Sequence, residues 1–175
     1  MNKFSFTLCL FTCLLIICCQ GPRDPNLNKS GEDEFKAHEV QREIDMDNQE
    51  FQDVIYVPIY SDIYVDKANQ NSLLSATLSI RNTSYKDSLF ISKIDYFNTE
   101  GQMVRSYVDN MIRLTPMGTL NYVIEKEDDS GGPGANFIVE ISSKNKNVKP
   151  LIQAVMIGHT GNKGFAFSTD GYSIK

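Results

Sequence analysis

From Phe51 onward the hydrophobic positions of this chain recur at every second residue, the repeat of strands that lay one face on a core. Leu74, Ala76, Leu78 and Ile80 alternate with Ser75, Thr77, Ser79 and Arg81, and the run stops at Asn82-Thr83-Ser84. That pattern predicts a half-buried strand closed by a turn. Val54, Tyr56 and Pro58 alternate with Ile55, Val57 and Ile59, an unbroken apolar run that predicts a strand covered on both faces, with Pro58 at an edge or a bulge. Residues 89–97 read as Phe90, Ser92, Ile94 and Tyr96 on one face against Ile91, Lys93, Asp95 and Phe97 on the other. Asn98-Thr99-Glu100-Gly101 then places glycine where a positive φ is wanted, and residues 102–108 return as a hairpin partner. Residues 111–114 and 119–124 flank a second turn at Thr115-Pro116-Met117-Gly118, and residues 136–141, 151–157 and 165–167 complete the set. About eight or nine short strands with no convincing helix predict an all-β fold, an antiparallel β-sandwich of immunoglobulin-like type.

The first fifty residues have another pattern. Lys3 is followed by an almost wholly apolar stretch from Phe4 to Ile17 that ends at Cys18-Cys19. The stretch falls short of the roughly 20 residues that cross a bilayer, so it predicts a secretory signal and not a membrane span. Cysteine stands where a small-x-small cleavage site would be, as in a bacterial lipoprotein signal. The residue before the acylated cysteine has to be small, and Cys18 meets that condition better than Ile17, so Cys19 is the predicted lipid anchor. The expected organisation is a signal peptide over 1–18, a lipid-anchored tether over 19–50 and a β-sandwich over 51–175. Ser30-Gly31-Glu32-Asp33 resembles a capping box, and Phe35, Val40 and Ile44 come after it, which predicts a short helix over about 31–46 within the tether.

Charge separates the same two regions. Residues 20–50 carry nine Asp/Glu against four Lys/Arg, a net of −5, whereas residues 51–175 carry thirteen against twelve, a net of −1. A near-neutral domain has no basic footprint for nucleic acid. An acidic tether is repelled by anionic head groups and holds the domain away from the membrane. All four cysteines lie within the first nineteen residues. The domain therefore has neither a disulfide nor a thiolate to work with, even facing the periplasm or the cell surface.

The least ordinary stretch is residues 125–136, in which Glu125, Glu127, Asp128 and Asp129 precede Ser130, Gly131, Gly132, Pro133, Gly134, Ala135 and Asn136. Glu127, Asp128 and Asp129 are hard oxygen donors for calcium, but the alternating ligands of an EF-hand are missing. The glycines suit an anion nest, without the lysine and helix of a phosphate loop. The plainer reading is a solvated strand end turning into the next strand. His159 is the one histidine of the domain. A hydrolase would draw on Ser130, His159 and Asp128 or Asp129, yet no nucleophile elbow is present, and His159 between Gly158 and Gly161 reads as a turn residue. Eight tyrosines suit strands and equally suit stacking on sugars or anchoring a protein partner. No residue is assigned a catalytic or metal-binding role, and no cofactor is expected.

Four segments together resemble a known family: Tyr56-Val57-Pro58-Ile59-Tyr60-Ser61; Leu78-Ser79-Ile80-Arg81-Asn82-Thr83; Ser130-Gly131-Gly132 leading to Gly134-Ala135-Asn136-Phe137; and Ala154-Val155-Met156-Ile157-Gly158. In this order they are similar to the bacterial family catalogued as domain of unknown function 3124, over roughly residues 54–170. The resemblance implies a small secreted or lipid-anchored protein and carries over no activity, ligand or site residue. The expectation is a non-enzymatic binding or accessory module of the cell envelope, with a protein or glycan partner. Its candidate binding loop comprises Asp128, Asp129, Ser130, Gly131, Gly132, Gly134 and Asn136, because loops on a rigid sandwich are where recognition is placed. The competing expectation is an envelope hydrolase or metal-dependent enzyme using the same loop and His159.

Overall fold

The structure, a computed structural model, describes residues 38–39, 49–64 and 72–175. Its strands are β1 (Phe51–Pro58), β2 (Asp62–Ile63), β3 (Ser72–Arg81), β4 (Leu89–Phe97), β5 (Met103–Ser106), β6 (Ile112–Leu114), β7 (Thr119–Ile124), β8 (Asn136–Ser143), β9 (Leu151–Thr160), β10 (Lys163–Asp170) and β11 (Tyr172–Ser173). They form two antiparallel sheets. One runs β11-β1-β8-β4-β5 with β6 also on β4, and the other runs β10-β9-β3-β2 with β7 also on β3. The two pack as a β-sandwich, as the alternation predicts. In the strand order β1 lies between β8 and the last strand.

The core keeps closely to the period-two pattern. Ile55, Val57, Ile94, Tyr96, Phe137, Val139 and Ile141 from the first sheet meet Leu74, Ala76, Leu78, Ile80, Leu120, Ile124, Ile152, Ala154 and Met156 from the second. Fully burying a side chain of this size stabilises the fold by about 1.5–3 kcal/mol. With no cysteine beyond Cys19, this apolar layer does the work that a disulfide does in many secreted domains.

In four places the structure differs from the pattern. Strand β1 is half-covered on its second face, not buried on both, and it is an interior strand: it pairs with β8 from Phe51 to Pro58 and with β11 at Ile55 and Tyr56. Pro58 is tolerated because it ends the strand, beyond the short reach of β11. Strand β4 does not alternate from end to end. Leu89 and Ile91 point inward, and so do Ile94 and Tyr96, because the register against β8 shifts between Ile91 and Lys93. A β-bulge at Ser92 absorbs one extra residue and reverses the parity. His159 is not in a turn. It lies within β9 opposite Gly164, and a two-residue turn at Gly161-Asn162 comes after Thr160, with Gly161 at φ 58°. Among the described residues the strands number eleven and not eight or nine. The additions include the two-residue pairings β2 and β11, which are too short to show a period.

The far end of the sandwich is closed by one buried amide. Asn82 Nδ2 donates to the carbonyls of Asp87 at 2.8 Å, Thr115 at 3.0 Å and Leu114 at 3.3 Å, while its Oδ1 accepts from Ser84 N at 3.0 Å. That satisfies main-chain groups where the chain leaves β3 for β4 and β6 for β7. The last crossing between sheets, from β10 to β11, passes through Gly171. A Cβ there would stand 2.7 Å from Ile55 Cγ2 and 3.2 Å from the Ile152 carbonyl, so only glycine fits between the layers.

Of the tether, His38, Glu39, Gln49 and Glu50 are described. His38 is helical, Glu39 forms an antiparallel bridge with Ile112 of β6, and its Oε2 accepts from Asn110 Nδ2 at 3.3 Å. The signal segment, Cys19 and the rest of the expected helix lie outside the described residues. Among the described residues no helix is long and apolar enough to cross a membrane.

Candidate functional site

The glycine-rich loop joins β7 of one sheet to β8 of the other, at the end of the sandwich where β1 and β4 finish and β3 begins. It is a packed element and not a loose turn. Thr99, at the β4–β5 hairpin, holds it from one side: Thr99 N donates to the Gly131 carbonyl at 2.9 Å, and Thr99 Oγ1 donates to the same carbonyl at 3.0 Å and accepts from Gly134 N at 2.9 Å. The chain leaving β1 holds it from the other, with Ser61 N donating to the Gly132 carbonyl at 3.1 Å and Ile59 N to that of Ala135 at 3.0 Å.

Beneath the loop lies a buried hydroxyl pair, Ser61 Oγ and Tyr96 Oη, 2.8 Å apart. Gly131 sits directly over it. A Cβ at that position would stand 1.8 Å from Tyr96 Oη and 2.6 Å from Ser61 Oγ. Gly132 adopts φ +72°, a conformation that side chains rarely take. The two glycines are therefore demanded by contact and by backbone geometry respectively. Burial is the main cause that holds the Tyr96 hydroxyl above the ordinary phenol range, with the Asp128 carboxylate adding to it against the Ser61 hydrogen bond.

The acids of the loop separate into different roles. Asp128 turns inward on its own chain, its Oδ1 accepting from Ser130 N at 3.2 Å and from the Ser130 hydroxyl. Ser130 is thus engaged by Asp128, while His159 lies exposed on β9 with its ring over Gly164. The structure brings Asp128 and Ser130 together and leaves His159 on another strand. Glu127 is exposed. Asp62 of β2 is only 5% exposed, and its carboxyl is pushed above the usual carboxylate range by burial first and by the Asp129 charge second. Among the described residues Asp62 Oδ1 has no hydrogen-bond partner. The expected trio of Glu127, Asp128 and Asp129 is therefore not a shared ligand set, and among the described residues no group of three or more His, Cys, Asp and Glu side chains is arranged to hold a metal.

Two features flank the loop, and alternation alone does not single them out. An open groove of about 470 Å³ is lined by Tyr60, Ile63, Tyr64, Thr99, Pro133 and Gly134. Tyr64 is 75% exposed, and Tyr60 is steadied edge-on by Phe167, ring centres 5.7 Å apart. On the other flank Tyr107 stacks against Tyr122 at 4.2 Å and reaches Phe137 at 6.1 Å, with the Arg105 guanidinium 5.7 Å above its ring. Burial and then the Tyr122 hydroxyl hold Tyr107 far above the ordinary phenol range. The signal for the groove is the Tyr60-Ser61-Asp62-Ile63-Tyr64 run, in which aromatic, hydroxyl and carboxyl side chains stand side by side.

The family described as "Protein of unknown function (DUF3124)" matches residues 52–174, from the start of β1 to the end of β11. The chain belongs to this family. Membership of DUF3124 accounts for the whole sandwich, including the glycine-rich loop and Asp62. No curated protein matches the chain. Among solved structures it is similar to one described as "Crystal Structure of Thermotoga maritima 1070", at 15% identity over 69% of this chain and 92% of that one, with a TM-score of 0.38.

Proposed function

We propose that this DUF3124 protein is a non-enzymatic binding module of the bacterial envelope, lipid-anchored at Cys19 and reading its ligand with the loop end of the sandwich. The observation that carries the reading is the groove beside the glycine-rich loop, about 470 Å³ and bounded by Tyr60, Ile63, Tyr64, Thr99, Pro133 and Gly134. Its volume falls in the range of small-ligand sites, about 300–1,000 Å³. Its walls are held in place: Thr99 hydrogen-bonds both glycine segments and Phe167 supports Tyr60. Two tyrosines at the rim of a polar loop suit the faces of sugar rings, so an envelope glycan is the first class to test.

Thermal unfolding of a soluble chain from Gln20, titrated with a panel of envelope glycans, tests the ligand. A ligand of the native state raises the midpoint by mass action, and Tyr60→Ala/Tyr64→Ala should weaken that ligand about tenfold. No shift with any glycan would turn the search to a protein partner. Metabolic labelling with a fatty acid tests the anchor. Label should persist in Cys18→Ser and vanish in Cys19→Ser, and label surviving in Cys19→Ser would remove the anchor from the reading.

A further inference from the structure

Among the described residues, β10 pairs with β9 over all eight of its residues, pairs with no other strand and ends its sheet. The other strands with a neighbour on one side only are shorter: six residues in β7, four in β5, three in β6 and two each in β2 and β11. The register of β10 against β9 runs without a shift from Lys163–Thr160 to Asp170–Gln153, so no bulge bends the edge. The strand has no proline, and its two charges, Lys163 and Asp170, stand at its ends. It lacks the usual devices that blunt an exposed edge. The hydrogen-bonding phase shows which groups are open. The turn at Gly161-Asn162, with Gly161 at φ 58°, closes on Lys163, so the odd-numbered residues bond β9. Gly171 N, donating to the Ile152 carbonyl at 2.8 Å, continues the same series. Gly164, Ala166 and Ser168 therefore turn their N–H and C=O groups to the free edge, and all three are exposed.

A free strand edge is completed by another strand, and the sequence of β10 favours its own copy. Antiparallel pairing about a two-fold axis lays the Lys163 end of one strand beside the Asp170 end of the other, so opposite charges meet at both ends. Lys163 is in no ion pair among the described residues, and Asp170 is met by the neutral Gln153 amide at 2.7 Å. A continuous sheet keeps both cores on one side, so each residue meets one of its own parity. With the axis at Ala166, Phe165 stands opposite the partner's Phe167, and symmetry makes two such aromatic pairs. Both rings are half-buried at the margin of the core, where a neighbouring strand would cover them. We propose that β10 pairs antiparallel with the β10 of a second copy of this chain, centred on Ala166, in a symmetric dimer that joins two sheets into one. Gly164 then meets the partner's Ser168 on either side of the axis, with about six main-chain hydrogen bonds across the join. Phe167 also supports Tyr60 at the groove, so the join steadies that wall. The pairing itself does not depend on what the groove binds.

Sedimentation equilibrium of the full chain in density-matched detergent tests this, and a dimer should form as the concentration rises. Ala166→Lys sets like charges opposite each other at the axis, and Ser168→Pro removes an N–H that β9 does not use. Each should raise the dimer Kd about tenfold and leave the unfolding midpoint of the monomer unchanged. Oxidation of Ala166→Cys should give a cross-linked dimer, because a bonded pair holds its Cα atoms about 5.5 Å apart, within disulfide reach. Val155→Cys lies one strand inward, opposite Ser168. It shares the native cysteines of the first nineteen residues and should add no cross-link. A chain that stays monomeric at every concentration would overturn the proposal. So would a dimer that both edge variants leave intact. Cross-linking of Val155→Cys as readily as Ala166→Cys would also overturn it, placing the contact on the outer sheet face. A glycan result of either sign leaves these outcomes unchanged.

Discussion

Gly131 shows how much one residue decides at this site. Its hydrogen occupies space that a methyl group would share with Tyr96 Oη at 1.8 Å. Gly131→Ala should therefore destabilise the domain by about 2–3 kcal/mol, as other overpacked sites do, and denaturant unfolding measures it. Tyr96→Phe removes the nearest atom, so the double variant should recover part of that loss, which a double-mutant cycle reads directly. Tyr107 acts in the alkaline range. Its folded pKa is raised above the unfolded value of 10.0, so its stabilisation is complete below that pH and declines as pH rises, since the unfolded phenol ionises first. Stability measured above about pH 10 should fall, and Tyr107→Phe should flatten that limb at the expense of some packing at neutral pH. Little of this is legible in the sequence alone. Glycine in the loop stands out as a composition, but its cause is a contact with a tyrosine 35 positions earlier. Asp62 gives no signal, because a lone acid between Ser61 and Ile63 looks like any solvated strand residue.

At the scale of elements, legibility depends on whether a strand keeps one face on the core without interruption. Strands β3, β7 and β8 do, and the alternation places Leu74 to Ile80, Leu120 to Ile124 and Phe137 to Ile141 on their correct faces. Strand β4 does not, since Ser92 interrupts the count. Only its register against β8, which passes from Ile91–Ile141 to Lys93–Glu140, shows which residue is extra. The two kinds of strand should respond differently to losing a residue. Deleting Ser92 puts Leu89, Ile91, Ile94 and Tyr96 into one unbroken alternation and keeps the 2.6 Å Lys93–Glu140 ion pair opposite, so the domain should remain folded, with a change of about 1 kcal/mol. Deleting Thr77 from β3, which has no bulge, turns Leu78 and Ile80 to the outer face and should abolish folding. Circular dichroism and thermal unfolding of the two deletions distinguish them. If deletion of Ser92 proves as damaging as deletion of Thr77, the bulge is a required bend and not a spare residue.

For the whole molecule, the sheets account for the division of labour between the two ends. The Asn82 corner satisfies main-chain groups and closes the core, while the opposite end gathers the loop, the groove and the buried Asp62. Strand β1 links them. The chain enters it at Phe51, paired with Ser143 at the Asn82 end, and leaves at Pro58, paired with Asn136 beside the loop. If the chain is anchored and binds as proposed, a pull between its N-terminal side and a ligand at the loop end would run along β1. Force in that direction loads the hydrogen bonds between β1 and β8 together, in shear, and the partner β11 adds two more pairs on the other side. A strand entered at the site end would instead open one bond at a time. On the proposed reading, the sandwich would resist the tension met by a module fixed at one end to a surface and holding its ligand at the other.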